Sequence, residues 1–320
     1  MKGKLLLIAF TASAIGIVSL FIGPSPINPF SMSGMEKEIL VSIRLPRVIV
    51  SILMGLGLGA SGAVLQGILR NPLADPYILG ISSGAALMAA LGIIAGLSFW
   101  GMITIPLLAF IGALITGIFV GAMGWKRGGF WPDRLLLAGV GLGFLFSAML
   151  MLLMSISSDE GLRRATLWIF GDLSLADWSI IPYGFIFIAA GFGMALSRAK
   201  ALNALMLGDD ISHSLGFAPR KERFILFVAV GLMTAASVSL GGMIGFIGLL
   251  IPHIGRFIIG ADSKILIPVS AMGGGILLCI ADLIAKSVIS PVELPAGIIT
   301  AIIGAPYFLY ILRRKDVLNF

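Results

Sequence analysis

Ionisable side chains are scarce in this chain of 320 residues, so each one set among apolar neighbours is a candidate for chemistry. Lys and Arg number 22, Asp and Glu 15 and His 2, against 58% hydrophobic residues. Metal-assisted hydrolysis would need an HExxH run or a comparable ligand set, and the sequence offers none. Covalent or acid–base catalysis would need a Ser–His or paired-carboxylate arrangement, and no credible one falls in the apolar segments. A nucleotide would need a phosphate cradle of the GxxxxGK[ST] type, which is absent. The glycine run Gly139 to Phe144 lies inside a long apolar segment with no preceding strand, and reads as helix packing. The remaining charged groups suit pairing more than catalysis. Arg44 and Arg47 flank Leu45-Pro46, Asp282 precedes Lys286 by four residues on one helix face, and Asp209 opens a short loop helix. His253 follows Pro252, where an imidazole can help satisfy a carbonyl freed by proline. Asp282 has no regularly spaced acidic partners, which weakens a reading as part of an ion relay.

The elements that position these groups are membrane helices. Charged residues make up 12% of the chain, against about 25% in soluble domains. The apolar runs are long and do not alternate, and lipid leaves open sheet edges unpaired. The expected fold class is therefore an all-α integral membrane protein of about ten transmembrane helices in a single domain, 1–320. The spans are placed near 5–23, 47–69, 78–97, 102–123, 135–154, 179–197, 224–240, 244–259, 265–286 and 296–312. The first follows Lys2 and Lys4 and is long for a signal peptide, so an uncleaved span is expected despite the Ala12-Ser13-Ala14 run. The 42 glycines suit close packing in lipid, and the lone Cys279 reads as apolar filler. The net charge of +7 needs no nucleic acid. With both termini in the cytoplasm, the outer cations are only Lys37, Arg44, Arg47, Arg163, Arg164 and Lys286, and the remaining Lys and Arg are inside.

Several segments depart from simple spans. Residues 24–43 are expected to form an outer loop with one helical turn, and 159–178 a short interfacial helix ending at Gly171, with Trp168 and Trp178 at headgroup level. A tight, partly buried turn is expected between Ser239 and Gly245. The inner loop, about 198–223, carries two short helical patterns, Ala201 to Met206 and Asp209 to Leu215, the second capped by Asp209 and closed by a left-handed Gly216. Its apolar residues Leu202, Leu205, Met206, Ile211 and Leu215 suit either the membrane surface or a partner's groove. In the fifth span Ser147, Met151, Met154 and Ser158 share one helix face, suited to an adaptable path or to ordinary packing.

Five stretches in order, RLPR from Arg44, SGAVLQGILRNPLADPYILGISSGA from Ser61, LGDDISHSLGF from Leu207, GFIGLLIPHIGRFIIGAD from Gly245 and ELPAGIITAIIGAPYFLYILRR from Glu293, closely resemble the FecCD-type permeases, the membrane subunits of ABC importers for iron–siderophores, haem and cobalamin. The resemblance implies the type II permease architecture in the cytoplasmic (inner) membrane and a homodimer with its path on the dimer axis. It also implies two cytosolic ATPase subunits that use ATP and Mg, an extracytoplasmic substrate-binding protein, and no catalysis, cofactor or metal held by this chain. It assigns binding-protein docking to Arg44, Arg47 and Lys286, and ATPase coupling to Gly208, Asp209, Ser212, Leu215 and Gly216. The path and its cytoplasmic gates fall to Asn71, Leu73, Ser147, Met151 and Met154. Iron–siderophore is the first choice of cargo, with cobalamin and haem as alternatives and an ion-coupled secondary transporter as a remoter reading.

Overall fold

The computed structural model describes residues 11, 14–23, 27–29, 32–126, 129–289 and 292–313. The start of the first span, with Lys2, Lys4 and Ala12-Ser13, lies outside the described residues, as do Arg127, Arg314 and Lys315. Helix dominates, and one antiparallel pair of two-residue strands, Trp125–Lys126 with Gly129–Phe130, joins two helices. Apolar helices lie where the spans were expected: α1 (14–21), α3 (Leu45–Leu69), α4 (Ile81–Ile94), α5 (Thr104–Gly124), α6 (Pro132–Ser155), α8 (Ile181–Ser197), α11 (Pro219–Gly241), α12 (Ile247–Ile259), α13 (Ser263–Ala285) and α14 (Ala296–Arg313). Between them lie the short helices α2 (Gly34–Ile39), α7 (Asp159–Ile169), α9 (Ala199–Leu207) and α10 (Asp209–Ser214). Five helical stretches are long and apolar enough to cross a bilayer unaided, while α4, α12 and α14 are shorter and α8 meets α9 at a 56° bend.

The expected outer loop at 24–43 is in part helix. Ser33 and Glu36 form a reciprocal capping box that starts α2, and the helix runs on through a π-helical turn, Leu40–Arg44, into α3. Pro46 explains the wide turn: it has no N–H to give Ser42, and its ring crowds that carbonyl, so the Leu45 N–H reaches back to Leu40 instead. The interfacial helix is present as α7, and Gly171 takes the left-handed conformation after it. Trp168 is buried among neighbouring helices, whereas Trp178 is exposed and its indole donates to the Val41 carbonyl at 3.0 Å.

The short, partly buried break expected between Ser239 and Gly245 is present at Gly242 to Phe246, displaced because α11 runs on to Gly241. It is a non-helical passage among neighbouring helices, after which α12 begins deep in the molecule with Gly248 against Leu58 of α3. Buried Asp75, from the loop after α3, caps the 3-10 turn Pro76–Leu79 through the Tyr77 N–H at 2.8 Å and also accepts from the backbone of Phe246 and Leu249. The amides freed by the break therefore meet a carboxylate in place of lipid.

The hub is α3, which packs against α13, α11, α12 and α8. Its approach to α13 is backbone to backbone: a Cβ on Gly55 would collide with the Gly274 carbonyl, and one on Gly59 with that of Ser270. Gly59→Leu is expected to cost about 1–3 kcal/mol or more, read as a lower melting temperature and poorer monodispersity in detergent. Gly193→Ala, where an added Cβ meets nothing within 4 Å, serves as the control and melts no lower than the parent.

Candidate functional site

At the Arg47 end of α3 the cations expected to face outward are turned in. Arg47 is 7% exposed; its guanidinium grips Asp282 of α13 through Nε (3.0 and 3.1 Å) and Nη2 (2.9 Å), and Glu293, just before α14, through Nη1 (2.6 Å). Lys286 is also buried and donates to Ser19 of α1, at 2.7 Å to the carbonyl and 3.1 Å to the hydroxyl, while Arg44 donates to the Leu20 carbonyl at 3.0 Å. Two expectations are corrected. Asp282 pairs with Arg47 instead of with Lys286 at i+4, and Arg44, Arg47 and Lys286 do not present the free charge that docking by exposed cations presupposes. The physical reason is the cost of an unpaired charge in a dry helix bundle, which draws each cation to the nearest carboxylate, hydroxyl or carbonyl. The exposed cations at this end are Lys37, Arg163 and Arg164, the last paired with Glu160 at 2.6 Å. Arg47→Ala leaves Asp282, itself 1% exposed, without its partner, with an expected loss of about 3–5 kcal/mol, read as a collapse in thermal stability; Arg47→Met with Asp282→Leu recovers most of it.

At the opposite end the inner-loop helices separate into a buried one and a presented one. Leu202 and Leu205 of α9 are 1% exposed, with Leu202 beneath Gly67 of α3, and Asn203 ties α9 to Asp262 (2.8 Å) and to the Ser263 amide (2.9 Å). These two leucines therefore cannot rest on a membrane surface. Leu207 at the end of α9, and Ile211 and Leu215 one turn apart along α10 and its cap, stay exposed, and Gly216 takes the left-handed conformation that closes α10. Ser212 is buried beneath them.

Asp209 does not cap α10. The cap is Gly208, at φ 128°, and the Asp209 carboxylate reaches Arg70 at the end of α3 and Arg223 of α11, with Arg223 Nη1 to Oδ2 at 2.7 Å. Arg70 also donates through Nε to the Leu205 carbonyl at 2.7 Å. Neither arginine was singled out for this role, because residue 223 is fourteen positions from Asp209 and Arg70 comes from another helix. Around the clamp a cavity of about 880 Å³ opens, bounded by Arg70, Trp131, Asp133, Asp210, His213 and Arg220. Arg223, with Arg70 beside it, holds the Asp209 carboxyl below its ordinary range against partial burial. The clamp is thus fully formed above the ordinary Asp value of about 3.9 and is lost as pH falls through the lowered one. Asp209→Asn is expected to cost about 1–3 kcal/mol, because the carboxylate is half exposed but Arg223 beneath it is buried, and to lower amide protection across 205–216; after correction for the base-catalysed intrinsic rate, pH changes near neutrality leave the parent's protection unaltered.

The candidate path residues do not all meet. Asn71 accepts the Leu73 N–H at 2.9 Å, so the two share one turn after α3. Gly139 of α6 lies against Leu79 in the same loop, and Met151 stands twelve residues further along α6, about 18 Å away, so within one subunit it cannot share a constriction with Leu73. Met151 is exposed, Ser147 and Met154 are half-buried, and α6 as a whole buries only Leu135, Ala138 and Gly139.

Residues 6–314 match the FecCD transport family. Among curated proteins, the chain is 40% identical to the hemin transport system permease protein HmuU of Yersinia pestis, over 87% of this chain and 84% of that one. It is 36% identical to the iron(3+)-hydroxamate import system permease protein FhuG of Bacillus subtilis, over 88% and 85%, and 38% identical to the cobalamin import system permease protein BtuC of Halobacterium salinarum, over 90% and 77%. A solved structure of a putative metal-chelate type ABC transporter in an inward-facing conformation superposes with a TM-score of 0.89 at 30% identity, covering 98% of this chain and 99% of that one. The chain belongs to the FecCD transport family and is the membrane permease of an ABC importer, not an enzyme.

Proposed function

We propose that two copies of this chain form a path for a bulky metal chelate through the cytoplasmic membrane, with both termini in the cytoplasm, driven by two cytosolic ATPase subunits that hold the ATP and Mg. The observation that carries this reading is α10. It is a short helix displaying Ile211 to the outside, flanked by exposed Leu207 at the end of α9 and Leu215 just after it, while Asp209 fastens it to α3 and α11, the arrangement a lever needs if a partner's groove is to move the spans. The unpacked apolar face of α6, with Phe144, Met151 and Leu152 exposed, supports a second copy across it, with Ser147, Met151 and Met154 lining the path and Asn71 and Leu73 closing its cytoplasmic end. A substrate-binding protein delivers from the other side. There Lys37 and Arg163 present the free positive charge, and Arg44, Arg47 and Lys286 support the surface from within.

Ferric siderophore is the cargo we favour, because FhuG and other relatives carry ferric ligands in their names, with haem and cobalamin as the other chelates this family of paths admits. A binding screen of the cognate binding protein against ferric siderophores, haem and cobalamin, followed by ATP-dependent uptake in proteoliposomes, decides among them. Leu215→Asp in the assembled transporter is expected to leave ATP hydrolysis running while uptake falls at least about tenfold, about 1.4 kcal/mol of lost coupling. Normal coupled uptake by that variant would remove α10 from the mechanism.

A further inference from the structure

Away from the clamp and the path, α5 and α11 leave a groove of about 370 Å³ between them, with a lining that is almost wholly apolar. It runs along α5 from Ala113 to the helix end, where Trp125 follows, and along α11 from Leu232 back to Phe224. Twelve residues of α5 rise about 18 Å, close to the roughly 15 Å of hydrocarbon in one leaflet. The groove is deep because small residues floor it. Gly117 and Gly121 come from one side and Gly231 from the other, and a Cβ on Gly231 would meet nothing within 4 Å.

One end of the groove is chemically distinct from the rest. Trp125 and Phe224 meet edge to face there, with ring centroids 6.0 Å apart, as aromatic pairs do at the headgroup boundary. One turn before Phe224 on the same face of α11 stands Lys221, exposed and without an ion pair among the described residues. An apolar trough one leaflet long, ending in an aromatic pair and then a free cation, matches the order of parts in an anionic phospholipid: acyl chain, ester region, phosphate. We propose that this groove is a phospholipid site, with an acyl chain lying between α5 and α11 and an anionic headgroup held at Lys221.

The test uses the full chain in phosphatidylcholine vesicles doped with acyl-brominated phosphatidylglycerol or acyl-brominated phosphatidylcholine. Bromine in the groove quenches Trp125, read as the difference between the parent and Trp125→Phe. Brominated phosphatidylglycerol is expected to reach half-quenching at about a fivefold lower mole fraction than brominated phosphatidylcholine, the factor that one lysine near an anionic surface contributes. Lys221→Gln should abolish that preference and keep the quenching. Gly231→Leu, whose side chain enters the open space, should reduce quenching by both lipids while the melting temperature holds. Equal quenching by the two lipids, indifferent to both substitutions, is the mark of ordinary boundary lipid and overturns the site. A Trp125 shielded from both lipids, as it would be under a second copy of the chain, overturns it equally.

Discussion

Backbone groups in lipid have no water to turn to, and this constraint organises the whole molecule around α3. Spans that satisfy their own hydrogen bonds gain little from a hydrophobic effect between one another, so they are held by contact at short range. Helix α3 supplies that contact: 21 of its 25 residues are buried, and Gly55 and Gly59 let α13 approach until main chains touch. Because α3 is fixed along its length, groups at its two ends, Arg47 and Arg70, are held about 35 Å apart on one rigid rod. Each end organises a separate cluster of charge.

The same constraint explains the irregular parts. In the non-helical passage from Gly242 to Phe246, Asp75 accepts from amides at the start of α12, which couples the loop after α3 to the broken span. Gln66 adds to this, its amide donating to the Gly248 carbonyl at 3.2 Å and its oxygen accepting from Arg256 at 2.6 Å. The candidate gate at Asn71 and Leu73 therefore sits on a loop whose position depends on a carboxylate buried two residues beyond Leu73.

Most of the span count was legible in the sequence, because a run of about twenty apolar residues has only one stable form in lipid. The limits of α7 and α10 were legible too, from Gly171 and Gly216, since few residues other than glycine enter the left-handed region cheaply. Continuity from α2 into α3 was not. Proline at position 46 reads locally as a helix start, and only the π turn upstream shows how the chain accommodates it. Charge partners were the other gap. Arg47 meets carboxylates 235 and 246 positions away, and positive-inside counting fixes the sign expected at an end, not whether a cation faces water or a neighbour. At Asp209 only the capping expectation fails, because capping is a local pattern and the clamp is not.

The two clusters differ in what it takes to open them. Around Arg47 both Arg47 and Asp282 are buried, so separating α3 from α13 there strands two charges in a dry interior. Around Arg70 the Asp209 carboxylate is half exposed, and water replaces much of what the arginines give when it lets go. The two ends of α3 are therefore fastened with different firmness, while its middle stays packed against α13. Beside the lighter fastening stands α10, the presented helix, while α9 stays packed beneath α3. On the proposed coupling role, movement imposed at Leu215 reaches Arg70 and the buried Arg223 together, because Asp209 holds both, and Asn71 is the next residue after Arg70.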